Sequence, residues 1–288
     1  MKKLVVVLIA LSIIPIGIFL YAWNNLHEQI NGHIYEDLSN IALAKTAKTY
    51  YLTKSDGDKL AYWYFPVKKP KAVIILIHGY GNPGGKGQMA DHIEYLQAAG
   101  YSTVIPDLRS FGQSDGNKTT FGVTEWQDIS QLYDYIKSLP ENKDKKIGFM
   151  GVSMGATTAI VAAGQTGKGD FIIASVPFVD FRSLFGFRLS DTKYASIIYP
   201  FVRLAGHLEL GLNYRRFTPI ELIGKVNVPI LIFSAARDEY VSSADAGKLF
   251  QMANDPKKYW QADSGHDIFA AHPDQFKQHV LDFLKSSI

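Results

Sequence analysis

Three residue types that together perform acyl chemistry occur in order along this chain: Ser153, Asp238 and His266. Ser153 sits inside "GVSMG" (151–155), after the apolar run "KIGFMG" and before "ATTAIVAAG". A strand that turns abruptly into a helix needs small residues where the backbones cross, and its apex residue is held exposed in a strained conformation. A serine hydroxyl is a poor nucleophile near neutral pH. It needs a histidine base, which a carboxylate must hold in one tautomer. "LIFSAARDEYV" supplies Asp238 just past an apolar strand, and "ADSGHDIF" supplies His266 in a glycine-containing loop before the last helix. Serine, acid and histidine in that order, each just past an expected strand, is what a doubly wound alternation of strands and helices would present at one sheet edge. Asp255 and Asp263 compete as the acid, and Asp238 has the alternative role of capping the helix after it. His272, before Pro273, and His279, on the terminal helix, read as surface residues.

Acyl transfer also needs donors for an oxyanion. One expected donor is the amide of Met154, directly after Ser153. The other is the amide of Tyr80, in the glycine-rich loop "IHGYGNPGG" (77–85). That loop also matches a dinucleotide fingerprint through Gly79, Gly81 and Gly84, with Asp107 placed as a ribose-binding acid would be. Pro83 and Gly85-Lys86-Gly87 keep the third glycine in a loop where it should open a helix, and the triad would be left unexplained. A phosphate-binding loop fails too, because Gly87 stands where Ser or Thr must follow Lys86. The chemistry needs no metal and no cofactor.

These residues need a frame, and the chain supplies one. Its 288 residues, 47% of them hydrophobic, suffice for one large core or two small ones. A net charge of +3 does not point to nucleic acid, and the absence of cysteine excludes disulfides, thiolate metal sites and cysteine nucleophiles. "KTYYLTKSDGDKLAYWYFP" reads as a hairpin turning at Asp56-Gly57. Apolar strands "AVIILIHG", "YSTVIPD", "KIGFMG", "FIIASVP", "VPILIFSA" and "KKYWQA" then alternate with helical stretches at 88–99, 120–139, 154–164, 243–253 and 273–285. The pattern predicts an α/β fold: a mostly parallel, doubly wound sheet covered on both faces.

Ahead of that domain lies "LVVVLIALSIIPIGIFLYAW", Leu4–Trp23, without a charge. Twenty helical residues reach about 30 Å, the thickness of a bilayer's hydrocarbon. Lys2 and Lys3 precede the run and no Lys or Arg follows it until Lys45, which predicts a cytoplasmic N-terminus with everything after Trp23 outside. A cleaved signal peptide or a buried core helix are the rival readings. Residues 1–23 are thus expected as anchor or signal segment, 24–45 as a polar stalk or amphipathic helix, and 46–288 as the catalytic domain.

"HGYG", "IPDLRSFGQSDG", "GVSMG", "SAARDEYV" and "DSGHD", in that order, resemble the serine-hydrolase branch of the α/β-hydrolase superfamily, near monoglyceride-lipase-like and serine-aminopeptidase-like members. The resemblance covers about residues 46–287. It implies Ser153 as nucleophile, Asp238 as acid, His266 as base, and Tyr80 and Met154 as oxyanion donors through their amides. Asp107, Arg109, Ser110 and Gly112 match a loop that buttresses the site in relatives. The expected activity is hydrolysis of a small-molecule carboxylic ester. A peptidase, thioesterase or acyltransferase with the same triad is the alternative, and a catalytically silent binding module a third.

Between Val176 and Val228 about 50 residues replace the few that such a connection needs. This cap, at about 181–225, carries seven Lys or Arg against three Asp or Glu. Phe181, Phe185, Arg215 and Arg216 are its candidate substrate contacts: an apolar underside for an acyl or aromatic group and a basic rim for an anion. The bland alternative is a small helical cap whose aromatics form its own core.

Overall fold

The computed structural model describes the backbone of residues 2–81, 84–189, 194–210 and 214–288, and the side chains of the first helix from Ile14 onward. Eight strands form one sheet in the order β1-β2-β4-β3-β5-β6-β7-β8. They are β1 (Thr49–Thr53), β2 (Lys59–Phe65), β3 (Ala72–Ile77), β4 (Ser102–Pro106), β5 (Lys146–Val152), β6 (Ile172–Ser175), β7 (Ile230–Ala235) and β8 (Lys257–Ala262). β1 pairs antiparallel with β2, and β2 with β4; every other neighbouring pair is parallel. The expected hairpin at Asp56-Gly57 is the β1–β2 turn.

The helices in chain order are α1 (Lys2–Ile30), α2 (Ile93–Ala98), α3 (Glu125–Ser138), α4 (Met154–Thr166), α5 (Phe181–Leu189), α6 (Ala195–Leu210), α7 (Pro219–Leu222), α8 (Ser243–Met252), α9 (Ile268–Ala271) and α10 (Pro273–Ser287). β3 is buried at all six positions, because helices cover both faces and an alternating pattern would leave a polar residue against one of them. Side chains on one face pack with α3, α4 and the cap helices. The other face packs with α2, α9 and α10.

Among the described residues no helix is long and apolar enough to cross a membrane. The run Leu4–Trp23 falls within α1, with its side chains through residue 13 outside the described set, so the fold lends the expected span no support. Farther on, α1 joins the domain. Ala22, Leu26 and Ile30, four residues apart on one helix face, are buried in the core that includes cap residues Val202 and Ala205. Residues 31–45 are not a free stalk. They lie on the domain, with bridges from Asn31 to Lys118 and from Ile34 to Phe111.

Candidate active site

Ser153 stands between β5 and α4 with φ 54° and ψ −116°, a backbone conformation that non-glycine residues rarely adopt. Two glycines make this turn possible. A Cβ on Gly155 would lie 2.0 Å from the Ile77 carbonyl oxygen, and one on Gly151 would lie 2.3 Å from the Gly155 backbone. Such closeness lets α4 start against the ends of β3 and β5, with the Ser153 amide donating to the Ser175 carbonyl at 2.8 Å. Met154 then opens α4, and the first amides of a helix have no partner within it.

The other two residues come from adjacent strand ends. β7 and β8 pair in parallel through Ala235 and Ala262, and the amide of Arg237 continues the contact by donating to Ser264. The two following loops are thereby clamped together, so that Asp238 Oδ2 lies 2.7 Å from His266 Nδ1. The second carboxylate oxygen accepts the amides of Tyr240 and Val241, at 2.8 and 2.9 Å, which fixes its orientation. An ionised carboxylate only accepts, so Nδ1 is the donor in this bond, and in the neutral imidazole that arrangement leaves the lone pair on Nε2. Of the competing acids, Asp263 pairs with Arg237, and Asp255 precedes β8, at the end of that strand opposite to His266.

Ser153 and His266 line one cavity of about 520 Å³, with Gly79 and Tyr80 on its rim. The peptide joining those two residues is held from beneath by His78, which is completely buried. His78 Nδ1 lies 2.7 Å from the Gly79 carbonyl oxygen, while Nε2 accepts the Leu108 amide at 2.9 Å. Burial pushes this imidazole down from its ordinary range, so it stays neutral with its proton on Nδ1. A trans peptide points its C=O and N–H in opposite directions, so pinning the Gly79 carbonyl aims the Tyr80 amide away from His78.

The loop after β4 supports this floor. Asp107 is fully buried and accepts the amides of Lys86 and Gln113, and Arg109 makes a two-point pair with Asp128 at 2.7 and 2.8 Å. Gly112, at φ 54°, is wedged against the Asp107 carboxylate, where a Cβ would lie 2.4 Å away.

Two of the four cap candidates pack away from this cavity. Phe181 and Phe185 are buried 4.2 Å apart between ring centroids and stand against Phe121, which in turn stacks on Tyr80. Among the described residues neither one lines the cavity. The side chain of Arg215 lies outside the described set, and Arg216 is exposed. The cavity extends instead under the opposite face of the sheet, between Met89, His92, Ile268, Phe269 and Phe276. Sequence reasoning missed these residues. Ile268 and Phe269, two and three positions past His266, were the available signal.

The family description "Serine aminopeptidase, S33" matches residues 68–208, about half of the chain. A structure of the Pyrococcus furiosus esterase Pf2001 superposes with a TM-score of 0.72 at 24% identity, covering 89% of this chain and 98% of that one. The fold is that of the α/β hydrolases. Among curated sequences, the uncharacterized protein YqkD of Bacillus subtilis is 26% identical over 299 residues, spanning 98% of this chain and 94% of its own. The uncharacterized protein YfhR of Salmonella typhi is 24% identical over 250 residues, spanning 84% of this chain and 82% of its own. The family match takes in Tyr80, Ser153 and Met154 and ends before Asp238 and His266. No metal-binding cluster of His, Asp and Glu occurs among the described residues.

Proposed function

We propose that the protein is a serine hydrolase that cleaves carboxylic esters through an acyl-enzyme. The observation that carries this reading is the shared cavity of Ser153 and His266, with Asp238 bonded to the far nitrogen of the imidazole. Ser153 Oγ attacks the acyl carbonyl while His266 Nε2 takes its proton. The amides of Tyr80 and Met154 receive the oxyanion. His266 then protonates the departing alcohol, and water, deprotonated by the same nitrogen, releases the acid and frees Ser153. The likeness to a Pyrococcus furiosus esterase favours an ester as the substrate. The serine aminopeptidase description favours a second reading, in which the same groups cleave a peptide.

A panel of p-nitrophenyl acyl esters beside aminoacyl anilides separates the two. Ser153→Ala and His266→Ala should each lower turnover on the order of 10⁶-fold without unfolding the protein. An Ser153→Ala variant with wild-type turnover ends the proposal.

We propose separately that the catalytic domain stands outside the cytoplasm, held by the N-terminal segment. Its support is the uncharged run Leu4–Trp23 behind Lys2 and Lys3. Protease added to intact cells should then digest the domain. Digestion only after lysis would reverse the topology.

A further inference from the structure

The loop after β3 contains Gly79, Gly81, Gly84, Gly85 and Gly87, and a backbone so rich in glycine has little stiffness of its own. Its rigidity has to come from outside, and beside His78 and Asp107 the chain's own N-terminal segment supplies it. At the near end, the Tyr80 hydroxyl donates to the Gln29 carbonyl at 3.2 Å. At the far end, the Gly84 amide donates to the Tyr35 carbonyl at 3.4 Å and the Gly87 amide to Glu36 Oε1 at 2.5 Å. Lys86 Nζ donates to Glu36 Oε2 at 2.6 Å and to Asp107 Oδ2 at 2.7 Å, with the lysine side chain fully buried.

This contact is tight. A Cβ on Gly85 would lie 2.8 Å from the Asp107 carboxylate and 3.0 Å from that of Glu36. The segment is itself anchored midway, because the Ile34 amide donates to Ser110 at 2.7 Å and the Gly112 amide to Ile34 at 2.9 Å. Burial first, and then the nearby Asp107, hold the Glu36 carboxyl above its ordinary range, against the opposing pull of Lys86 and the Gly87 amide. Charges enclosed this way hold one geometry, because a displaced partner leaves another buried and unpaired.

The geometry points to Gln29–Glu36 as a strap that positions the oxyanion loop, with Glu36 the positioning residue that sets the Tyr80 amide against the developing oxyanion. This inference rests on the serine-hydrolase reading above. Glu36 touches no reacting atom. It acts through Lys86 and Gly87, at the end of the loop opposite to the one His78 holds. An oxyanion donor must stand 2.7–3.1 Å from the charge it stabilises, so a small loosening of the loop is felt in the transition state and hardly in the bound ester.

The full chain carrying Glu36→Gln or Glu36→Ala tests this. Glu36→Gln keeps an acceptor for the Gly87 amide and loses the charge facing Lys86; Glu36→Ala loses both. Measured on a p-nitrophenyl ester and corrected for the folded fraction from urea melts, kcat should fall roughly 10-fold for the first and 100-fold for the second. KM should stay within about threefold of wild type, as expected for an interaction realised only in the transition state. Affinity for a trifluoromethyl ketone, which forms a tetrahedral adduct with the serine, should fall in step with kcat. Where Glu36→Ala does not fold, Glu36→Gln decides. A kcat within twofold of wild type in the folded variants overturns the strap, and so does a rise in KM at unchanged kcat. Labelling of wild-type Ser153 by a fluorophosphonate is measured alongside. Its absence would bring down the serine-hydrolase reading itself, a result distinct from failure of the strap.

Discussion

Gly155→Ala adds one methyl group where the elbow is tightest. The new Cβ would stand 2.0 Å from the carbonyl oxygen of Ile77 and 2.6 Å from that of His78. Both are backbone atoms at the end of β3, and neither can rotate aside. Ordinary contact begins at 3.4 Å, so the first turn of α4 must retreat by about 1.4 Å. That turn carries Ser153 and the Met154 amide, and the strand end it leaves carries the loop of Tyr80. Misplacement of reacting groups by 1 Å costs on the order of 10²-fold in rate, and overpacking costs about 1–3 kcal/mol in stability. Ester hydrolysis should therefore show kcat/KM reduced roughly 100-fold, and urea melts should show a loss within that range. Gly247→Ala is the control, since a Cβ there meets nothing within 4 Å and the residue lies inside α8. It should raise stability by about 0.5–1 kcal/mol and leave turnover unchanged. A Gly155→Ala enzyme with wild-type kcat/KM and stability would refute the claim that close approach of α4 and β3 positions Ser153.

His92 is buried among Tyr95, Phe269 and Phe276, and burial, with Lys277 adding to it, pushes its imidazole down to about 3. The unfolded chain takes up a proton there below about pH 6.5 and the folded chain does not, so stability is full above that value and is lost as pH falls, by roughly 1 kcal/mol per unit. Urea melts at pH 7.5 and 5.5 should show a smaller loss for His92→Phe than for wild type; equal losses refute this assignment. His78→Phe removes the bond to Gly79 and leaves the Leu108 amide without its acceptor, which should cost about 1–3 kcal/mol and lower kcat more than it raises KM. An unchanged kcat in the folded variant would show that the Gly79–Tyr80 peptide does not depend on His78. Met89→Trp fills the cavity beneath the sheet and should reduce kcat/KM for octanoyl relative to acetyl esters by at least about 10-fold. An unaltered chain-length profile would mean that the acyl group binds elsewhere.

Much of this arrangement was legible in the sequence because burial on two faces writes strands as unbroken apolar runs. "AVIILI" and "ILIFSA" are β3 and β7, and the residues just past the C-terminal ends of the parallel strands fall at one edge of the sheet, Ser153 after β5, Asp238 after β7 and His266 after the half-exposed β8. The order of the strands was not legible, since nothing in the local pattern of β3 or β4 says which lies beside β2. Helix α3 begins at Glu125, later than the apolar period suggests, because the Glu125 carboxylate accepts the amides of Thr120 and Gly122 and holds that stretch as a turn. The aromatic residues of the cap were readable as apolar and not by destination. Phe181 and Phe185 fill the core beside Phe121, while the cavity wall comes from Met89 and Phe269, far from them in sequence. Glu36 gave no signal at all. A lone carboxylate in a polar stretch looks solvated until the lysine it meets, 50 positions away, is seen to be buried.

Glu209, in the last turn of α6, bonds His27 and Asn31 on the first helix and its C-terminus and also Lys118 on the sheet domain. A cap tethered at that corner is not a free flap. Any movement of the cap that keeps these bonds has to pivot about Glu209, so the corner it shares with the first helix is the part of the cap least able to swing.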